Sequence, residues 1–307
     1  MHLPAFIRWI QDPPVPPGDM KYALQNFCSA YWNYATKSKA LRFFTSKFDS
    51  IVNTTGWQWD ASEEVQDDSY EFLWWMLDQV RDHSTTDEYQ FDALFTPTLQ
   101  SSWTCESCAV HHQSNPIDQK TGMMLHLNPA EENRLPKNED QWERPERLNL
   151  HNTLPYYIHR FFNQNISLKC SNKVCKTLGI YCQRTRNEKM TSAPEYLIFK
   201  CQSFKDDMTK LKTTVDIPQW LDMSDHMAWD VKNYTYKLVS VVLHSGPTTE
   251  SGHYTGLFTG PRQVQYEINN ENVQKKSLKK FKEEMYGTGR EYDLPYIVTY
   301  VRMAKTH

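Results

Sequence analysis

A histidine set between a glycine and the start of an apolar run is the first place in this chain where side chains have the types and spacing for hydrolysis. The stretch is Ser251-Gly252-His253-Tyr254. Upstream, Val239-Ser240-Val241-Val242-Leu243-His244 reads as a buried strand and Ser245 to Glu250 as a polar turn, so His253 opens the returning strand of a hairpin. Gly252 has no Cβ and leaves the backbone beside the ring uncrowded. Across a second turn, Tyr266-Glu267-Ile268-Asn269-Asn270 brings side-chain amides that can accept an imidazole N–H and fix one tautomer. A histidine held that way takes the proton of a thiol, which makes the group two parts of a Cys/His/Asn hydrolytic triad. A strand-end histidine is more often a hydrogen-bonded structural residue, and an Asn pair after a strand is more often a turn. The rest of the chain decides between these readings.

The cysteines carry a second chemistry. Cys105-Glu106-Ser107-Cys108 follows the strand-like Ser101 to Thr104, and Cys170-Ser171-Asn172-Lys173-Val174-Cys175 follows the extended Ile166 to Lys169. Two pairs on tight turns, separated by a long excursion, can bring four thiolates to one tetrahedral zinc with sulfur at about 2.3 Å. Such a site has no open position and is structural. His111 and His112 are alternative ligands beside the first pair, and two unrelated pairs of free thiols are the third arrangement the spacing allows. Cys28, Cys182 and Cys201 have no partner at metal spacing and read as small packing residues.

Several elements must position these groups. Leu3 to Ile10 begins abruptly with apolar residues, as a helix entered partway, and Asp12 to Asp19 breaks it with four prolines. Leu24, Phe27, Cys28, Tyr31 and Trp32 recur with the period of an amphipathic helix. Gln66 to Val80 is the clearest helix, with Leu73, Met76, Leu77 and Val80 as its core stripe; Asp68 and Ser69 suit caps, and Gln66 a solvated site. Asn128 to Leu150 has the composition of a solvated loop. A short helix starts at Thr153, with Pro155 in its first turn. Ala193 to Lys200 reads as a buried strand, and Leu294 to Val301 as a closing strand with alternate residues facing a core. Helices come first, then a long β-ribbon excursion, then a mostly antiparallel sheet: an α+β chain forming one domain over residues 1–307.

The net charge of −3 gives no basic footprint, so neither nucleic acid nor an anionic membrane is an expected partner. No apolar run approaches the roughly 18 residues that cross a bilayer. Met1 to Ile10 lacks the basic start and long apolar stretch of a secretory signal. Seven cysteines, odd in number and clustered, argue for metal or thiol chemistry in a reducing, intracellular setting.

In this order the pieces resemble the catalytic domain of ubiquitin-specific proteases, the cysteine-type deubiquitinases. Gln66-Asp67-Asp68-Ser69-Tyr70-Glu71-Phe72-Leu73 is similar to that family's Gln-Gln-Asp-Ala-x-Glu-Phe-Leu box, from which Asp67 and Ser69 depart. The two cysteine pairs resemble its zinc knuckles, Ala193 to Ile198 a strand that usually runs on to Lys-Arg-Phe, and Leu243 to Gly246 with Ser251 to Tyr254 its histidine box. The resemblance implies a papain-like fold of thumb (residues 1–95), zinc-tipped fingers (96–200) and palm (201–307) that grips ubiquitin and cleaves after its C-terminal glycine. By position it makes His253 the general base, Asn269 the residue that orients it and Asn270 an auxiliary polar group. Gln66, Asp68, Glu71, Gly252 and Tyr254 fall among the substrate-binding positions, Asp68 where the family meets the basic tail of ubiquitin. The family's Gly-x-x-Cys-x-x-Asn box does not occur in these 307 residues. The expectation is therefore a deubiquitinase whose N-terminal segment is missing from this sequence, or a pseudo-enzyme that binds ubiquitin without cutting.

Overall fold

Proline at the first helical position and apolar residues spaced three and four apart make helix α1 of Pro4–Gln11, which buries Phe6, Trp9 and Ile10. The computed structural model describes residues 3–12, 20–31, 68–81, 85–113, 122–127, 153–170, 172–179, 181–202, 204, 210, 215–230, 234–247, 252–260, 263–269, 272–285 and 294–303. The chain divides into two units, residues 1–94 with 250–252 and residues 95–249 with 253–307.

In the first unit, helix α2 (Met20–Tyr31) buries Met20, Ala23, Leu24, Phe27 and Cys28 along one stripe. Trp9 meets the edge of Phe91 at 5.3 Å, and Lys21 lays its ammonium over the same indole. Helix α3 (Ser69–Val80) starts where the Asp68 carboxylate accepts the Tyr70 N–H at 2.7 Å, the N-cap its sequence announces. Its buried side chains are Trp75, Leu77 and Val80; Leu73 and Met76, expected in the stripe, are half-buried. Helix α4 (Thr85–Phe95) is tied back to it by Arg81, which reaches Glu88 at 2.7 Å and Asp92 at 2.9 Å.

The second unit holds two sheets. Strands β1 (Thr98–Thr104), β2 (His111–Gln113), β4 (Asn163–Lys169) and β5 (Tyr181–Ser192) form a four-stranded antiparallel ribbon in the order β2-β1-β5-β4. The ribbon carries few large apolar side chains, and a buried polar set stitches it instead: Ser101 donates to Glu188 at 2.9 Å, and Glu188 is ion-paired with Arg186. The larger sheet runs β11-β10-β9-β8-β12-β6-β3, with β7 alongside β8. Its members are β3 (Met124–Leu127), β6 (Tyr196–Cys201), β7 (Trp220–Asp222), β8 (Thr235–Ser245), β9 (His253–Thr259), β10 (Gln265–Asn269), β11 (Asn272–Lys276) and β12 (Leu294–Arg302). All the described pairings are antiparallel except β3 with β6.

Strand β12 lies between β8 and β6, and every residue from Leu294 to Tyr300 is buried. A central strand is covered on both faces, which is why the expected alternation is absent there. Helix α5 (Leu154–Phe162) begins at the Thr153 cap and packs Leu154, Tyr157, Ile158 and Phe162 into the core formed with Leu197, Phe199, Val298 and Tyr300. Two buried tyrosines end on acceptors: Tyr236 donates to the Pro194 carbonyl at 2.7 Å and Tyr300 to that of Pro218 at 2.6 Å. Helix α6 (Lys173–Thr177) sits at the ribbon's cysteine end, and α7 (Leu278–Met285) follows β11. Helices first, then ribbon, then a mostly antiparallel sheet is the expected α+β class. Among the described residues no helix is long and apolar enough to cross a membrane.

His226, in a single 3₁₀ turn (Ser224–His226), is buried with its ring stacked on Phe162 at 4.6 Å. Burial, then the nearby charges of His159 and Lys189, hold it down to about 4 against the opposing pull of Asp225 and Asp222. Between its ordinary value near 6.5 and about 4, the unfolded chain binds a proton that the folded chain refuses. Stability should therefore fall as pH drops through that window, by up to about 3 kcal/mol. Urea midpoints measured across it should show this slope in the wild type and a shallower one in His226→Phe; equal slopes would refute the assignment.

Candidate functional site

The β8 to β9 hairpin fixes the first group. Val241, Leu243 and Leu257 anchor its inner face, and the ladder runs out to Ser245 opposite His253. Gly246 turns the chain away with φ +131°, a conformation that side chains rarely adopt. His253 is thus the first residue of β9 and is half-buried. The next hairpin brings up its partner. A Cβ at Gly260 would stand 2.6 Å from the Tyr266 ring, so its absence lets that ring stack on Phe258 at 5.2 Å while the Gly260 N–H closes the turn onto Val264. The β9 to β10 register pairs Ile268 with Gly256. One place on, Asn269 stands across from Thr255, diagonal to His253 and on the same face of the sheet.

The two side chains meet: His253 Nε2 and Asn269 Oδ1 are 2.7 Å apart. The amide oxygen only accepts, so Nε2 is the donor in this contact, and in the neutral ring Nδ1 keeps its lone pair. That is the tautomer of a general base, with the amide dipole placed to support the imidazolium once it forms.

The other expected site residues fall as follows. Tyr254 points to the opposite face, its ring 4.8 Å from His244 and 5.6 Å from Tyr296. Gly252 is exposed. Asp68 is the α3 cap and Glu71 lies exposed in the first turn of that helix. Gln66 and Asn270 lie outside the described residues. Beneath Tyr254, sequence reading missed Lys210, which donates both to His244 Nδ1 at 3.1 Å and to the His244 carbonyl at 2.5 Å. Lys210 stands in a polar stretch with no periodicity, so nothing in its neighbourhood announces a buried amine.

At the ribbon's end, Cys105, Cys108, Cys170 and Cys175 converge with every pair of sulfurs within 4.8 Å. Cys105 to Cys175 measures 4.0 Å and Cys108 to Cys170 3.8 Å. A tetrahedron with arms of about 2.3 Å has edges of about 3.8 Å, so the cluster fits a four-sulfur metal site. Without a cation, burial pushes the thiols of Cys170 and Cys175 up, so a metal is what would hold four thiolates together here. The histidines are not in the set: His111 pairs with Thr104, and His112 stands beside Cys170.

Mouse (Mus musculus) ubiquitin carboxyl-terminal hydrolase 27 is 26% identical over 251 residues, covering 70% of this chain and 56% of the relative. Human (Homo sapiens) ubiquitin carboxyl-terminal hydrolase 22 is 25% identical over 260 residues, covering 70% and 47%. The chain thus spans about half the length of these curated relatives. Among solved structures, the SAGA DUB module Ubp8/Sgf11/Sus1/Sgf73 bound to monoubiquitin matches with a TM-score of 0.67 at 17% identity, over 99% of this chain and 64% of that one. The same module bound to ubiquitin aldehyde matches with a TM-score of 0.68 at 16% identity, over 99% and 65%. The fold is therefore shared with these chains. The model of the family described as "Ubiquitin carboxyl-terminal hydrolase" matches residues 5–300, and the chain belongs to that family.

Proposed function

We propose that this chain is the ubiquitin-binding part of a cysteine-type deubiquitinase that hydrolyses the bond after the C-terminal glycine of ubiquitin. The observation that carries the reading is the 2.7 Å contact between His253 Nε2 and Asn269 Oδ1 on neighbouring strands. With Nε2–H donated to the amide, Nδ1 takes the thiol proton, and the imidazolium then returns it to the leaving amine. Residues 1–95, 96–200 and 201–307 take the roles of thumb, fingers and palm, and Asp68, Glu71, Gln66, Gly252, Tyr254 and Asn270 serve ubiquitin and the reacting bond. The Ubp8 module was seen with monoubiquitin, which supports ubiquitin as the partner here.

The attacking thiolate comes, in this reading, from a Gly-x-x-Cys-x-x-Asn box outside these 307 residues. Burial pushes the Cys28 thiol up and Cys201 up to about 12, so neither is a ready thiolate. Four more cysteines form the sulfur cluster, and the side chain of the seventh, Cys182, lies outside those described. The departures at Asp67 and Ser69 and the Asn at 269 favour a second reading, in which the chain binds ubiquitin and does not cut it.

The longest natural product carrying this chain should hydrolyse a fluorogenic ubiquitin C-terminal amide, and His253→Ala should lower kcat by a factor on the order of 10²–10⁴. Asn269→Ala should lower it less and shift the pH profile. Ubiquitin binding without hydrolysis would establish the second reading; neither binding nor hydrolysis would refute both.

We also propose that the four cysteines hold one structural zinc. Elemental analysis should find about one zinc per chain, lost when Cys105 and Cys170 are both changed to Ser. A stable, metal-free wild type would refute it.

A further inference from the structure

The histidine that stands beside the cysteine cluster has no role in the reading so far. Strand β2 pairs with β1 so that His112 lies opposite Trp103, and the two rings stack with centroids 3.6 Å apart and planes 16° from parallel. This fixes the imidazole in one plane, with Nε2 3.6 Å from the Cys170 sulfur. The backbone N–H of Asn172 reaches the same sulfur at 3.4 Å. Its neighbour His111, one residue away and on the other face of the strand, turns Nδ1 to the Thr104 hydroxyl at 3.2 Å.

We propose that His112 is a positioning residue of the metal site, donating its Nε2–H to the Cys170 thiolate while Trp103 holds the ring in plane. The inference rests on the zinc reading above. Four thiolates around a divalent cation leave a formal excess of two negative charges in a cluster whose Cys105, Cys170 and Cys175 are buried. Excess charge on sulfur invites a proton or an electrophile to compete with the metal for it. A hydrogen bond from a ring N–H draws off part of that charge and must be broken before a competitor can reach the lone pair. Cys170 receives two such donors, one from the main chain and one from His112. The main-chain donor comes with the knuckle turn itself. His112 comes from a different strand, so it also ties β2 to the far cysteine pair.

The test uses the whole 307-residue chain loaded with zinc, and reads the rate of zinc transfer to a chromophoric chelator. His112→Phe keeps a ring to stack on Trp103 and removes the donor; release should accelerate about 10- to 100-fold. His112→Gln, which keeps an N–H, should recover part of the loss, and His111→Ala should release at the wild-type rate. Trp103→Leu, which frees the ring plane but leaves the donor, should accelerate release by a smaller factor and serves should His112→Phe fail to fold. In the cobalt-substituted protein, wild type and His112→Phe should share the absorption of a tetrahedral four-thiolate site. Release unchanged in both His112→Phe and Trp103→Leu would overturn the inference and leave the zinc reading standing. A cobalt spectrum that gains a water ligand in His112→Phe would overturn it in favour of a directly ligating histidine. No uptake of zinc by the wild type would overturn the four-cysteine reading and this inference together.

Discussion

The hydrogen bond between the imidazole of His253 and the amide of Asn269 is the contact on which the proposed chemistry depends, and two strand registers combine to make it. Two hairpins in succession set the pair: one ends its ladder at Ser245 opposite His253, and the next returns Asn269 to the diagonal position on the same face. A slip of one residue in either register would send one of the two side chains to the opposite face. The register is pinned by the inward row of Val241, Leu243 and Leu257 and by the stack of Phe258 on Tyr266 that Gly260 makes room for. The geometry of this pair is thus a by-product of strand pairing over an apolar core, with His253 and Asn269 at the ladder's open end.

The ribbon obeys a different physics. Its strands carry Thr, Ser, Gln, Asn, Arg and Lys where the larger sheet carries Val, Leu and Tyr, and hydrophobic burial contributes little to holding its far end together. A cation shared by the four sulfurs would supply there what a core supplies elsewhere, and the spacing of 3.8 to 4.0 Å between sulfurs suits one. The Glu188, Ser101 and Arg186 set plays the matching part nearer the base of the ribbon.

What the sequence made legible was whatever rests on local chemistry. The Thr153 cap with Pro155 behind it, the Asp68 cap, the cysteine knuckles and the hairpin opening at His253 are all written in adjacent residues, and each stands where its pattern puts it. Features set by neighbours far along the chain were hidden. Strand β5 is twelve residues long and mostly polar, with no regular apolar alternation; it is a strand because β1 and β4 flank it. The parallel pairing of β3 with β6 has no local signature, and the central place of β12 erased the alternation expected of it. In α3, Trp75 is buried with Leu77 and Val80 while Leu73 and Met76 are half-buried, because periodicity gives the face of a helix but not how deeply each side chain on it sinks. Lys210 lay beyond reach for the same reason: its partner His244 is brought to it by the fold.

The tautomer of His253 bears most directly on whether this ring is a base held by Asn269. Long-range ¹H–¹⁵N correlation spectra of the histidine rings, recorded at a pH where His253 is neutral, read it without any substrate. The proton should sit on Nε2, leaving Nδ1 bare, and in Asn269→Ala the ring should relax to a mixture of both forms. A proton on Nδ1 in the wild type, or a spectrum that ignores the loss of the amide, would contradict the assignment of this pair as the catalytic base and its support.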